Sequence, residues 1–119
     1  MLRQLQQAWQ RRQLRNPDYR FLFDPAPPEE WISIDCETTG LDRNRDHIIS
    51  IGAVPIRGRQ VLTSQRLEIL IRPDGDRAPL SADNVRIHQL READLAEHGV
   101  SPREAAERVL RFIGARPLV

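Results

Sequence analysis

A chain of 119 residues, 39% of them hydrophobic, fits one domain that buries roughly two-thirds of the surface its unfolded form exposes. Its 18 basic and 17 acidic residues leave a net charge of +1, without the strong positive balance that marks many nucleic-acid binders. No apolar run approaches the roughly 20 residues of a membrane span, and Met1-Leu2-Arg3-Gln4 opens no secretory signal, so a soluble chain without membrane contact is predicted.

Leu2, Leu5 and Trp9 fall at i, i+3 and i+7 and predict an amphipathic helix from Met1 to about Leu14. Residues 1–23 carry Arg3, Arg11, Arg12, Arg15 and Arg20 against a single acid, Asp18. The helix is expected to pack its apolar stripe on the domain and leave its arginines solvated; the alternative is an appendage that tracks nucleic-acid backbone or docks on a partner. All basic residues are arginine, whose fork suits phosphate, although uniform usage also fits a coding bias. Residues 24–30, Asp24-Pro25-Ala26-Pro27-Pro28-Glu29-Glu30, read as a stiff extended connector, so the domain proper spans 31–119.

Trp31 to Cys36 reads as the first strand. Alternation puts Ile32, Ile34 and Cys36 on one apolar face and Ser33, Asp35 and Glu37 on the other. Two carboxylates that close repel, so either one stays protonated or a divalent cation neutralises both, and hard oxygen ligands suit Mg²⁺ or Mn²⁺. Cys36, the only cysteine, is expected in the core; it excludes an internal disulfide and agrees with a reducing cytoplasm. Thr38-Thr39-Gly40 ends the strand in a turn, with Gly40 supplying a positive φ or a close approach.

A second strand is predicted from about His47 to Ile56, a hairpin turn at Arg57-Gly58-Arg59, and a third strand from about Gln60 to Ile71, closed by Arg72-Pro73-Asp74-Gly75-Asp76. Ser81 can cap a short helix containing Val85, Ile87 and Leu90, with His88 near its end. Ser101-Pro102-Arg103-Glu104 is a capping box with proline at the first helical position. Its helix would turn Ala105, Val109, Phe112 and Ile113 to the core and end near Gly114.

The string Asp35-Cys36-Glu37-Thr38-Thr39-Gly40-Leu41, the Ile48 to Val54 strand and Ile87-His88 together resemble the opening half of a DEDD-type 3′-5′ exonuclease, close to the proofreading (epsilon) subunit of replicative DNA polymerase. The resemblance runs from about Trp31 to the end of the chain. Ser50 and Gln89 depart from it, standing where relatives often carry an acid and a glycine. It implies an α/β, ribonuclease H-like fold with three antiparallel strands plus helices. It also implies a two-metal site for Mg²⁺ or Mn²⁺ in which Asp35 and Glu37 are ligands and catalytic residues. Thr38, Thr39 and His88 would contact the 3′-terminal nucleotide, although His88 read alone is a surface histidine at a helix end.

The expected substrate is single-stranded or 3′-ended nucleic acid, with release of nucleoside 5′-monophosphates, and a DNA polymerase subunit is an expected partner. The family needs four acids from three motifs. Four intervening residues after His47, His88 and His98 lead to Gly52, Ala93 and Arg103, and three after Tyr19 lead to Phe23, so the third motif is missing. The second aspartate would follow a strand beginning near Leu118-Val119. The chain is therefore expected to be cut before the fourth and fifth strands, to be inactive alone, and to associate with itself through an uncovered strand edge. A non-catalytic nucleic-acid-binding or polymerase-docking module, or a fragment without an independent role, is the alternative.

Overall fold

The computed structural model describes residues 1–74 and 92–119. It contains α1 (Leu2–Gln13), a 3₁₀ turn (Pro17–Phe23), β1 (Glu30–Thr38), β2 (Ile48–Arg57), β3 (Gln60–Val61), a second 3₁₀ turn (Thr63–Gln65), β4 (Leu67–Leu70), α2 (Glu92–His98) and α3 (Pro102–Ile113). The short helix expected after Ser81 lies outside the described residues.

β2 is flanked by β1 on one side and by β3 and β4 on the other, all antiparallel. β1 outlasts its predicted end by two residues, which brings Glu37 into the ladder, and the register slips only between Glu37 and Thr38. On its other edge Ile32 donates to Pro117 O and accepts from Val119 N, each at 2.9 Å, so Leu118 forms a parallel bridge where the next strand was expected to begin. The hairpin turn forms as predicted, with Arg57 opposite Gln60 and Gly58 taking φ 57°.

The predicted third strand is interrupted. β1 pairs Ile32 with Pro55, and because the backbone groups of Ile32 point away toward residues 117 and 119, those of Pro55 point toward the third strand. Proline has no N–H to offer there. Pro55 O accepts from Leu62 N at 2.8 Å, the chain then leaves the sheet as the Thr63–Gln65 turn, and β4 rejoins at Leu67 opposite Ala53. Ile71 and Val100 add a parallel bridge beyond it.

α3 starts at the predicted cap, where Ser101 Oγ accepts from Glu104 N at 3.1 Å, and ends at Gly114 with φ 59°. Its Ala105 and Val109 pack on Ile51, Ile69 and Ile71, while Ile34, Leu67, Val100 and Ile113 close the rim of this core. The 3₁₀ turn of residues 17–23 reaches the same helix, with the Arg111 guanidinium 5.5 Å above the Tyr19 ring. α2, which the sequence reading did not single out, buries only Leu95.

Two expectations are corrected. Cys36 is exposed rather than packed, because the buried cluster sits over β2 and β4 and leaves the far end of β1 uncovered among the described residues. The apolar stripe of α1 does not pack on the domain either: Leu2, Leu5 and Trp9 are 85%, 63% and 62% exposed, and the helix is tied down by Arg11 to Asp24 at 3.3 Å.

Ile49 is fully buried on β2, so Ile49→Ala is expected to lower unfolding free energy by about 3 kcal/mol through lost burial and a cavity. Loss of the cap in Ser101→Ala is expected to lower it by about 1 kcal/mol. Urea denaturation of both variants, with an unchanged slope, checks these values.

Candidate active site

The face of the sheet opposite α3 is assembled row by row from the strand register. Asp35 on β1 lies opposite Gly52 on β2, which lies opposite Glu68 on β4; the next row is Glu37, Ser50 and Leu70. Small side chains on the middle strand leave a depression of ≈ 400 Å³ lined by Asp35, Glu37, Ser50, Gly52, Glu68 and Leu70 among others. Asp35 is exposed and Glu37 half-buried, so the pair meets solvent at the mouth of this depression. Asp35 Oδ1 accepts from Cys36 N at 3.0 Å, which fixes one carboxylate oxygen against the strand. The Cys36 thiol is pushed above its ordinary pKa by partial burial first, then by the Asp35 and Glu37 charges, which keeps it neutral and a poor nucleophile.

Beyond Thr38 the chain makes a loop organised by one carboxylate. Asp46 Oδ1 accepts from the Thr39 hydroxyl at 2.9 Å and its Oδ2 from Asp42 N at 2.8 Å. Thr39 Oγ1 in turn accepts from His47 N at 3.1 Å, and Thr39 N donates to His47 O at 3.0 Å. Thr38 donates its hydroxyl to Gly40 O at 2.8 Å. Gly40 is required by space rather than by φ, because a Cβ there would sit 2.7 Å from Asp46 Cγ. His47 Nδ1 is buried without a hydrogen-bond partner among the described residues.

Of the residues singled out in the sequence, Asp35 and Glu37 are brought together on one face, and Thr38 and Thr39 stand at the turn directly after them with hydroxyls engaged in the turn itself. His88 lies outside the described residues. Sequence reasoning missed three participants: Asp46, which holds the loop; Glu68, which faces Asp35 across Gly52; and Arg66, paired to Glu68 at 3.2 Å. For Glu68 a signal was present, since Leu67, Ile69 and Ile71 share the core face and alternation turns Glu68 to the other. No group of three or more acids, histidines or cysteines arranged to hold a metal occurs among the described residues.

A profile of the RNase_T exonuclease family matches residues 32–119, and the chain belongs to that family. No curated protein sequence matches it. Among solved structures it is similar to cell-death related nuclease 4 (CRN-4), at 13% identity and a TM-score of 0.60, over 73% of this chain and 30% of that one. It is also similar to a moderately thermophilic exonuclease I from Methylocaldum szegediense, at 18% identity and a TM-score of 0.58, over 67% of this chain and 17% of that one. The fold is ribonuclease H-like, and the chain spans less than a third of the length of either structure.

The bonds from Asp42 N and Thr39 hold the Asp46 carboxyl below its ordinary pKa. A depressed carboxylate contributes stability that is present above its unfolded pKa and lost as pH falls through the folded one. The loop of residues 39–47 is therefore expected to be closed at neutral pH and to loosen below the ordinary carboxylate range. Amide exchange at Asp42 measured against pH checks this, and Asp46→Asn is expected to remove the acid dependence.

Proposed function

We propose that the chain is part of a metal-dependent 3′-5′ exonuclease that releases nucleoside 5′-monophosphates from the 3′ ends of DNA or RNA, with polymerase proofreading as its closest analogue. The observation that carries this reading is the Asp35 and Glu37 pair, side by side on one strand face beside the open Gly52 position, in a chain of the RNase_T exonuclease family. The donor set fits a divalent cation as part of its shell: two carboxylates, hard oxygen donors, at the mouth of an open depression suit Mg²⁺ or Mn²⁺. Such an ion supplies Lewis acidity at the phosphodiester and a water of lowered pKa.

The chain's own residues then divide the work. Asp35 and Glu37 would hold the cation, whose positive charge would meet the scissile phosphate that the carboxylates alone repel. The rigid turn at Thr38 and Thr39 seats the terminal nucleotide, with His88 as a further contact implied by the family resemblance. The remaining two acids and the general base are not found in these 119 residues. Full activity therefore belongs to an assembly in which another stretch of protein supplies them. The exposed stripe of α1 is a docking surface for a polymerase subunit in the same reading, and the edge of β1 at Ile34 and Cys36, beside which no described strand lies, is a route to self-association. The cytoplasm is its expected place of action.

A second reading, a non-catalytic nucleic-acid-binding or polymerase-docking module, is favoured by the same unpacked stripe of Leu2, Leu5 and Trp9.

Calorimetry with Mn²⁺ is expected to show weak binding that Asp35→Ala abolishes; tight binding that survives the substitution would place the metal elsewhere. Alone, the chain is expected to shorten a 5′-labelled single strand far more slowly than a complete domain does. Joined to a segment bearing the missing acids, it is expected to trim that strand from its 3′ end, and Glu37→Ala is expected to reduce the rate by about a thousandfold or more. A joined protein that binds the strand without trimming it supports the docking module instead.

A further inference from the structure

The depression beside the acidic pair continues toward Arg66, and this part of the surface has no role in the site described so far. It is lined by Ser33, Asp35, Gly52, Val54, Arg66 and Glu68 among others. Two strand spacings separate Asp35 from Glu68, about 10 Å. Between them stands Gly52, where a Cβ would meet nothing within 4 Å. The open floor is thus a property of the glycine and is not forced by crowding.

A polyanion crossing this floor passes Asp35, Glu37 and Glu68, and each repels it. Arg66 is the one cation among the described residues that line either part of the depression. Its Nε is paired with Glu68 Oε1 at 3.2 Å, and both side chains are largely exposed, so the pair by itself contributes little stability. What the pair does is aim the guanidinium: with Nε engaged, the outer edge of the fork keeps donors for a bidentate contact with an anion.

We propose that this trough is a subsite for an internal nucleotide of a single-stranded nucleic acid, with Arg66 binding its phosphate and Gly52 keeping the floor open. The inference rests on the exonuclease reading and extends it from the scissile phosphate to its neighbour. Asp35 and Glu37 govern the metal and Arg66 governs the strand, with Gly52 between Asp35 and the Arg66–Glu68 pair.

The test is fluorescence anisotropy of a 5′-fluorescein oligothymidylate of about ten nucleotides, with a phosphorothioate 3′ end, titrated with the full chain at several salt concentrations. Arg66→Gln is expected to weaken binding by about tenfold and to lower the slope of log affinity against log salt by about 0.7, the amount for one phosphate contact on a single strand. Arg66→Lys is expected to keep most of that slope. Gly52→Val fills the floor with a residue that suits a strand, so it is expected to melt no lower than the parent yet bind the oligonucleotide about tenfold more weakly. An unchanged salt slope in Arg66→Gln, or parental affinity in a folded Gly52→Val, overturns the proposal. Mn²⁺ calorimetry on the same proteins separates the two failures. Absence of Asp35-dependent metal binding in the parent sinks the exonuclease reading, whereas intact metal binding with either of those outcomes sinks only the subsite.

Discussion

From Glu30 to Glu37 the ladder between β1 and β2 runs without a slip, and it sets the geometry of both faces of the sheet. Side chains alternate across a strand, so the same pairing that turns Ile32 and Ile34 toward the helix layer turns Ser33, Asp35 and Glu37 to the other side. A shift of one residue would exchange the two sets, driving the carboxylates toward Ala105 and Val109 and the isoleucines into water. The penalty for that exchange pins the acids in place. At one end the register is held by the Gly58 turn and by Arg57 paired to Glu30 at 3.0 Å; at the other it is held by the Asp46-centred loop.

This arrangement separates what stabilises the domain from what the acidic face does. The buried side chains form the core on the helix side, and no polar or charged residue is buried among the described ones. Asp35 is hydrated, so its charge is not set against a desolvation penalty in the resting fold. The electrostatic conflict between two neighbouring carboxylates becomes large only when something excludes water from the depression. A site built this way sets its acids side by side without straining the sheet beneath.

Much of this was legible in the sequence. The acidic pair, the turn after it and the cap at Ser101 each rest on a local rule and stand in the structure where the rule put them, while the strand bridge at Leu118 stands where the family resemblance placed the next strand. The failures are tertiary. That Pro55 would break the third strand depends on which edge of β2 its missing N–H faces, which is fixed only by pairing with β1. Cys36 obeys its alternation but lies beyond the reach of α3, and α1 has the right period without a surface to cover it. Asp46 could not be identified as the organiser of the loop, because its partners, Thr39 and Asp42, are set by loop closure rather than by spacing. Glu68 became part of the acidic face only through a register that joins three strands.

The edge of β1 links the site to the rest of the sheet. Ile32 is bonded on that edge to residues 117 and 119, and by alternation the backbone groups of Ile34 and Cys36 point the same way. No described strand lies beside Ile34 and Cys36, and the Cys36 N–H is instead satisfied by Asp35 Oδ1. One N–H cannot serve both a neighbouring strand and its own side-chain neighbour at full strength. A strand paired alongside Cys36 would draw that donor into its ladder and free Asp35 Oδ1 from its bond to the backbone. Pairing along that edge and the hold on Asp35 Oδ1 therefore compete for a single backbone donor.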